Sequence, residues 1–166
     1  ESSRQLMLNA QRAALSESRK MLQDVAKLSA QHQAQLRTLV FPAELPAHAL
    51  KQVKEMQATA RKLEKEAQQG IRLVAQHAAS HVPLPATALR SIVAAANKEV
   101  KALQQLEKQM HQLPLAKTIW DFLNAEAALA RQEKAVLKLT NTFLQALRLK
   151  GQKKKQEEGS TPPPQP

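Results

Sequence analysis

The stretch ALKQVKEMQATARKLEKEAQQGIRLVAQHAASH, from Ala49 to His81, decides the fold. Its small or apolar residues Ala49, Val53, Met56, Ala60, Leu63, Ala67, Gly70 and Val74 recur in alternating steps of four and three. That spacing puts them on one stripe of a long amphipathic helix. Most of the stability of such a helix in water comes from other helices covering its stripe. Val53, Met56, Ala60, Leu63, Ala67, Gly70 and Val74 are therefore read as a helix-packing seam. Gly70 is its sharpest feature, because glycine costs about 1 kcal/mol relative to alanine inside a helix. Its presence argues for a close crossing by another backbone.

The segments on either side supply the covering helices. From about residue 3 to 40, Leu8, Leu15, Leu22, Val25, Leu36 and Leu39 fall on one face, widened by Met7, Met21 and Leu28. Ser29 and His32 interrupt this stripe, as a polar layer that fixes register would. A third helix is expected over about 85–112, with Leu89, Ile92, Ala96, Val100, Leu103, Leu106 and Met110 inward. A fourth is expected over about 115–150, with Ile119, Phe122, Leu129, Val136, Phe143 and Leu147 inward. The seam helix itself is bounded at about 46 and 80.

The body prolines stand at the corners between these segments: Pro42 and Pro46, Pro83 and Pro85, and Pro114. Proline breaks a helix interior but suits the first turn of a new one, which is the place expected of Pro46. Leu45 to Val53 and Leu84 to Ile92 share the wording Leu-Pro-Ala-x-Ala-Leu, read here as a common helix start rather than a duplicated unit. Gly151 reads as a C-cap. Beyond it, residues 152–166 carry no apolar periodicity and are expected to be a disordered basic and proline-rich tail. Residues 1–151 then form one helical domain.

Composition agrees with an all-α chain. Aromatics are 2% of 166 residues, with one Trp, three Phe and no Tyr, so the core must be Leu, Ala, Val and Met, which suit helices better than strands. The expected architecture is an elongated antiparallel, up-down-up-down four-helix bundle, or long helical hairpins with coiled-coil character that pair with another subunit. No apolar run approaches the roughly 20 residues of a membrane span. The chain therefore reads as soluble, in cytoplasm or nucleus, and a membrane partner is not expected.

Candidate chemistry is sparse. His77 and His81 are four apart, the spacing at which two imidazoles can share a metal, but no third ligand accompanies them and no metal is assigned. No Glu is followed by His three residues later, which excludes the usual di-iron ligand set of a bundle. Glu126 and Glu133 are a heptad apart, about 10 Å along a helix. That is too far to share a proton, and they are expected to pair with Lys or Arg of a neighbouring helix. With no phosphate-binding glycine loop, no cysteine and no local Ser-His-Asp pattern, no enzyme activity, catalytic residue or cofactor is expected.

Lys and Arg number 25 against 14 Asp and Glu, a formal net charge of +11. Such a balance favours polyanionic partners. The excess is spread along the chain, and only Arg148, Lys150, Lys153, Lys154 and Lys155 form a dense cluster that could contact a polyanion. The run Thr161 to Pro166 favours polyproline II. The leading expectation is a non-enzymatic helical interaction or scaffold module that docks partner proteins or self-associates. The alternative is a basic nucleic-acid-binding protein that contacts phosphates without reading sequence.

Overall fold

The structure, a computed structural model, describes residues 2–38 and 46–159, with side chains as far as Arg148. Four long helices make up the described chain: α1 Ser3–Thr38, α2 Ala47–Ala79, α3 Ala86–Gln112 and α4 Ile119–Gly159. A 3-10 turn, Leu113–Leu115, precedes the last, and no strand occurs among the described residues. The fold is an all-α helical bundle.

Local chemistry sets the helix starts. Ser2 Oγ accepts from the Gln5 amide (3.2 Å) and Thr118 Oγ1 from the Asp121 amide (3.1 Å), so each hydroxyl satisfies an amide that the first turn leaves without a partner. Thr118, three residues beyond the proline turn, thus starts α4 at Ile119 rather than at 115. Pro46 and Pro85 stand one position before their helices rather than inside them. Their extended backbones have ψ of 149° and 143°, and their carbonyls accept from Leu50 and Leu89.

Pairs of side chains give the directions. Gln33 of α1 reaches Glu64 of α2, and Arg4 reaches the His81 carbonyl just past α2, so these two helices run antiparallel. Gln132 reaches Ala102 and Thr140 reaches Glu99, so α3 and α4 are also antiparallel. Conversely, Gln35 meets Met110, and Gln11 meets Leu84 just before α3, so α1 and α3 run parallel. His77 meets Leu147 while Gln52 faces Glu126, which makes α2 and α4 parallel as well.

Around the bundle the order is α1, α2, α4, α3. No backbone contact joins α2 to α3 or α1 to α4, so these are the diagonal pairs. The corner 80–85 therefore crosses one end of the bundle. At about 3.3–3.6 Å per extended residue it reaches roughly 20 Å, enough for the diagonal of a square whose edges are about 8–10 Å. It is pinned on the way: an Arg4 guanidinium nitrogen donates to the His81 carbonyl (3.2 Å) and the Leu84 amide to Gln11 Oε1 (2.7 Å).

The core runs the length of the bundle. In α2 the buried residues are Ala49, Val53, Met56, Ala60, Leu63, Ala67, Gly70 and Val74. Leu22 of α1 and Leu144 of α4 close over Gly70. In α3 the expected inward set needs correction, because Val100 is exposed, Leu89 is half-buried, and Ala88 and Glu99 are buried in their stead. Ile92, Ala96, Glu99, Leu103, Leu106 and Met110 keep steps of four and three. Position along the helix, not residue type, decides which side chain faces in.

The last helix also departs from expectation at its far end. Gly151 does not stop it, and α4 continues to Gly159. Residues 152–158 are all Gln, Lys or Glu, good helix formers that can carry a helix past one glycine costing about 1 kcal/mol. The remainder of the expected disordered tail, 160–166, including the whole polyproline run, lies outside the described residues, as does Leu39.

Candidate functional site

The bundle interior is not wholly apolar. Gln11, Ser18, Ser29, His32, Glu99, Glu126, Glu133 and Thr140 are all buried. Two of these form a pair across the diagonal: His32 Nδ1 of α1 lies 3.1 Å from Glu133 Oε2 of α4, with both side chains almost wholly out of solvent. The two atoms are close but not in the alignment of a hydrogen bond. His32 Nε2 and Glu133 Oε1 have no partner.

A second polar position joins α3 to α4. Thr140 Oγ1 contacts Glu99 Oε1 in hydrogen-bonding geometry, and lies 2.9 Å from the Val136 carbonyl, which it can also reach as a donor. Glu99 Oε2 has no partner. Burial pushes the Glu99 carboxyl up from the usual 4.5 to about 7, against the lowering effect of the Thr140 hydroxyl. Glu99 was not foreseen, although the four-three spacing through Ile92, Ala96 and Leu103 leads straight to it.

Glu126 and Glu133 lie in the core, and among the described residues neither meets the Lys or Arg of a neighbouring helix expected for it. Phe122, Glu126, Leu129, Glu133, Val136 and Thr140 open the buried run of α4, which continues through Phe143, Leu144 and Leu147, and the two carboxylates lie two turns apart in it. With its amide nitrogen turned to the carboxylate, Gln52 donates to both Glu126 oxygens (2.8 and 3.1 Å). Burial raises the Glu126 carboxyl above its ordinary range, His48 opposes the rise and Glu55 adds to it. Glu126, Glu133 and Glu55 line a cleft between α2 and α4.

The histidine pair at the end of α2 is divided. His77 Nε2 lies 3.2 Å from the Leu147 carbonyl, tying α2 to α4, whereas His81 lies beyond the helix and offers its carbonyl to Arg4. No group of three or more His, Asp or Glu is placed to hold a metal among the described residues.

Of the basic cluster, Arg148 is exposed and donates to Gln69 Oε1 (2.6 Å). Lys150, Lys153, Lys154 and Lys155 follow on the same helix, and their side chains lie outside the described part. At the bundle end where α4 begins, Trp120 is 73% exposed and Leu115 68%. No helix among the described residues is long and apolar enough to cross a membrane. No family model matches this chain, and comparisons with curated proteins and with solved structures found no significant match.

Proposed function

We propose that this chain is a non-enzymatic helical interaction module that docks a partner protein, or a further copy of itself, through its outer surfaces. The observation that carries the reading is Trp120, the only tryptophan of the chain. It stands almost free of the bundle at the start of α4, beside the equally exposed Leu115 of the preceding turn. Exposed aromatic surface gains free energy when it is covered, at roughly 25 cal/mol per Å². Tryptophan is also among the residues most enriched as anchors of protein interfaces.

Native co-purification with the parent and with Trp120→Ala tests this. The parent is expected to retain a partner that Trp120→Ala loses, and the Trp120 fluorescence should shift to the blue in the complex. A chain that stays monomeric, and holds the same partners with or without Trp120, contradicts it.

Polyanion binding has its own support. Among the described residues no Lys or Arg comes within ion-pair reach of a carboxylate, so the basic side chains behind the net charge of +11 are not tied up by acidic ones. If the basic residues spread over the bundle, together with Arg148 and the lysines beyond it, contact phosphates, affinity for duplex DNA should fall about 10³–10⁵-fold between roughly 50 and 200 mM salt for about six to ten contacts. Binding that is absent at low salt or indifferent to salt removes this second reading.

A further inference from the structure

The cations are spread along the chain, yet folding gathers many of them on one face. Gln33 Nε2 donates to Glu64 Oε2 (2.6 Å) and marks the edge where α1 meets α2. On α1, Arg19 and Arg12 stand two and three heptads before Gln33, and Arg37 one turn after it. On α2, Arg61 stands one turn before Glu64, and Lys65 and Arg72 follow one and eight residues after it. At about 100° per residue these side chains turn outward from the shared edge, and all of them are exposed. The register then brings them together. Leu22 packs on Gly70 and the two helices are antiparallel, so Arg19 and Arg72 lie at one level. Gln33 with Glu64 sets Arg37 and Arg61 at another, about 16 Å along the bundle.

The acidic groups of the same two helices are turned elsewhere. Glu17 and Asp24 stand about five and three whole turns before Gln35, whose amide donates to the Met110 carbonyl, so they lie on the side toward α3. Glu55 lines the cleft against α4, and Glu66 faces the Asn141 amide of α4. Of the acidic residues of α1 and α2, Glu64 alone stays at the shared edge, half-buried and engaged by Gln33. None of the cations on this face has a carboxylate within ion-pair reach. Neighbouring like charges repel one another, and an anion laid across both levels removes that repulsion.

The make-up of the face selects among polyanions. From Arg12 to Arg37 and from Lys51 to Arg72 no large apolar side chain is exposed, whereas a helix face seated in a membrane needs them. Neither stretch holds an aromatic residue, on which the bases of a single strand would stack. Most of the cations are arginines, whose planar forks match phosphate oxygens. Arg12 to Arg37 spans roughly 37 Å, close to the 34–36 Å or so of one duplex turn, and the two rows lie on axes about 8–10 Å apart. We propose that the α1–α2 face docks duplex nucleic acid through its phosphates, with Arg19, Arg72, Arg37 and Arg61 at the centre of the contact. This rests on the polyanion reading above and moves its centre from the end of α4 to the side of the bundle.

Fluorescence anisotropy of a labelled duplex of about two turns, titrated with the full chain at several salt concentrations, tests the assignment. The parent is compared with Arg19→Gln/Arg61→Gln/Arg72→Gln on the face and with Lys101→Gln/Lys108→Gln/Lys138→Gln on α3 and α4, which removes the same charge. A third variant, Lys150→Gln/Lys153→Gln/Lys154→Gln/Lys155→Gln, removes the cluster at the end of α4. The face variant should bind at least about tenfold more weakly, and its slope of log affinity against log salt should fall by about two to three, at roughly 0.9 per phosphate. The α3–α4 variant should change much less. Equal losses in these two, or a loss confined to the third variant, overturn the α1–α2 face and leave the polyanion reading standing. A parent that binds no duplex at low salt overturns both. Equal or tighter binding of phosphatidylserine vesicles or of polyglutamate overturns duplex nucleic acid as the partner. In the parent itself, duplex should shield Lys65 from an amine-reactive label and leave Lys101 open, which decides the matter should the face variant fail to fold. The reverse pattern overturns the proposal.

Discussion

A single hydrogen at Gly70 lets α2 lie against Leu22 and Leu144. A Cβ there would stand 2.8 Å from Leu22 Cδ1 and 3.0 Å from Leu144 Cδ2. Both atoms end flexible side chains. Gly70→Ala should therefore stay within about 1 kcal/mol of the parent, the crowding offset by the gain in helix propensity. Gly70→Leu has no room to turn, and is expected to lose roughly 1–3 kcal/mol or more by overpacking. Gln68→Leu, on the exposed side, should be nearly neutral. Thermal unfolding of the three variants beside the parent checks this, and a Gly70→Leu chain as stable as the parent would mean that the crossing is loose.

Glu99 is the residue-scale counterpart in α3. Its folded carboxyl titrates at about 7 against an ordinary 4.5. Below the lower value both folded and unfolded chains hold the proton, and no charge is buried. Between the two values the unfolded chain ionises while the folded chain does not, so stability falls as pH rises. Above the upper value the loss levels off at about 3 kcal/mol. The parent's melting temperature should therefore drop more between about pH 5 and pH 8 than that of Glu99→Gln. The raised Glu66 and Glu126 carboxyls leave a residual slope in both chains. Equal slopes would remove Glu99 as the cause. Val100 was read as inward because it is apolar, yet spacing alone favours Glu99. A buried carboxylate is legible only when periodicity is allowed to outrank residue type.

Among elements, the telling relation is between α1 and α4, which face one another across the centre without backbone contact. What joins them there is side chains: Leu22 and Leu144 over Gly70, and His32 with Glu133. Removing one member of a buried pair strands the other, at about 3–5 kcal/mol, while replacing both by apolar residues of similar size is often neutral or better. Urea unfolding of His32→Leu, Glu133→Leu and the double variant should show two weakened single variants and a double variant that recovers most of the loss. Strictly additive losses would show that the two side chains do not depend on each other. The interruption of the α1 stripe at Ser29 and His32 was visible in the sequence. Its partner was not, because nothing local to Glu133 distinguishes a carboxylate beside the core from one inside it.

For the whole molecule, proline corners and four-three stripes were enough to indicate four long helices and an all-α bundle. The order around the bundle was not legible. A corner as long as 80–85 spans an edge or a diagonal equally well, and the choice rests on which stripes fit together. The small residues of α2 admit Leu22 from one side and Leu144 from another, so α2 sits between α1 and α4 and the chain must cross the end of the bundle to begin α3. The most direct test is a methyl nuclear Overhauser experiment on a mixture of isotopically labelled and unlabelled chains. Contacts from the Leu22 methyls to both Gly70 and the Leu144 methyls are expected within one labelled chain. Their absence, or their appearance only between labelled and unlabelled chains, would contradict a bundle closed within a single polypeptide.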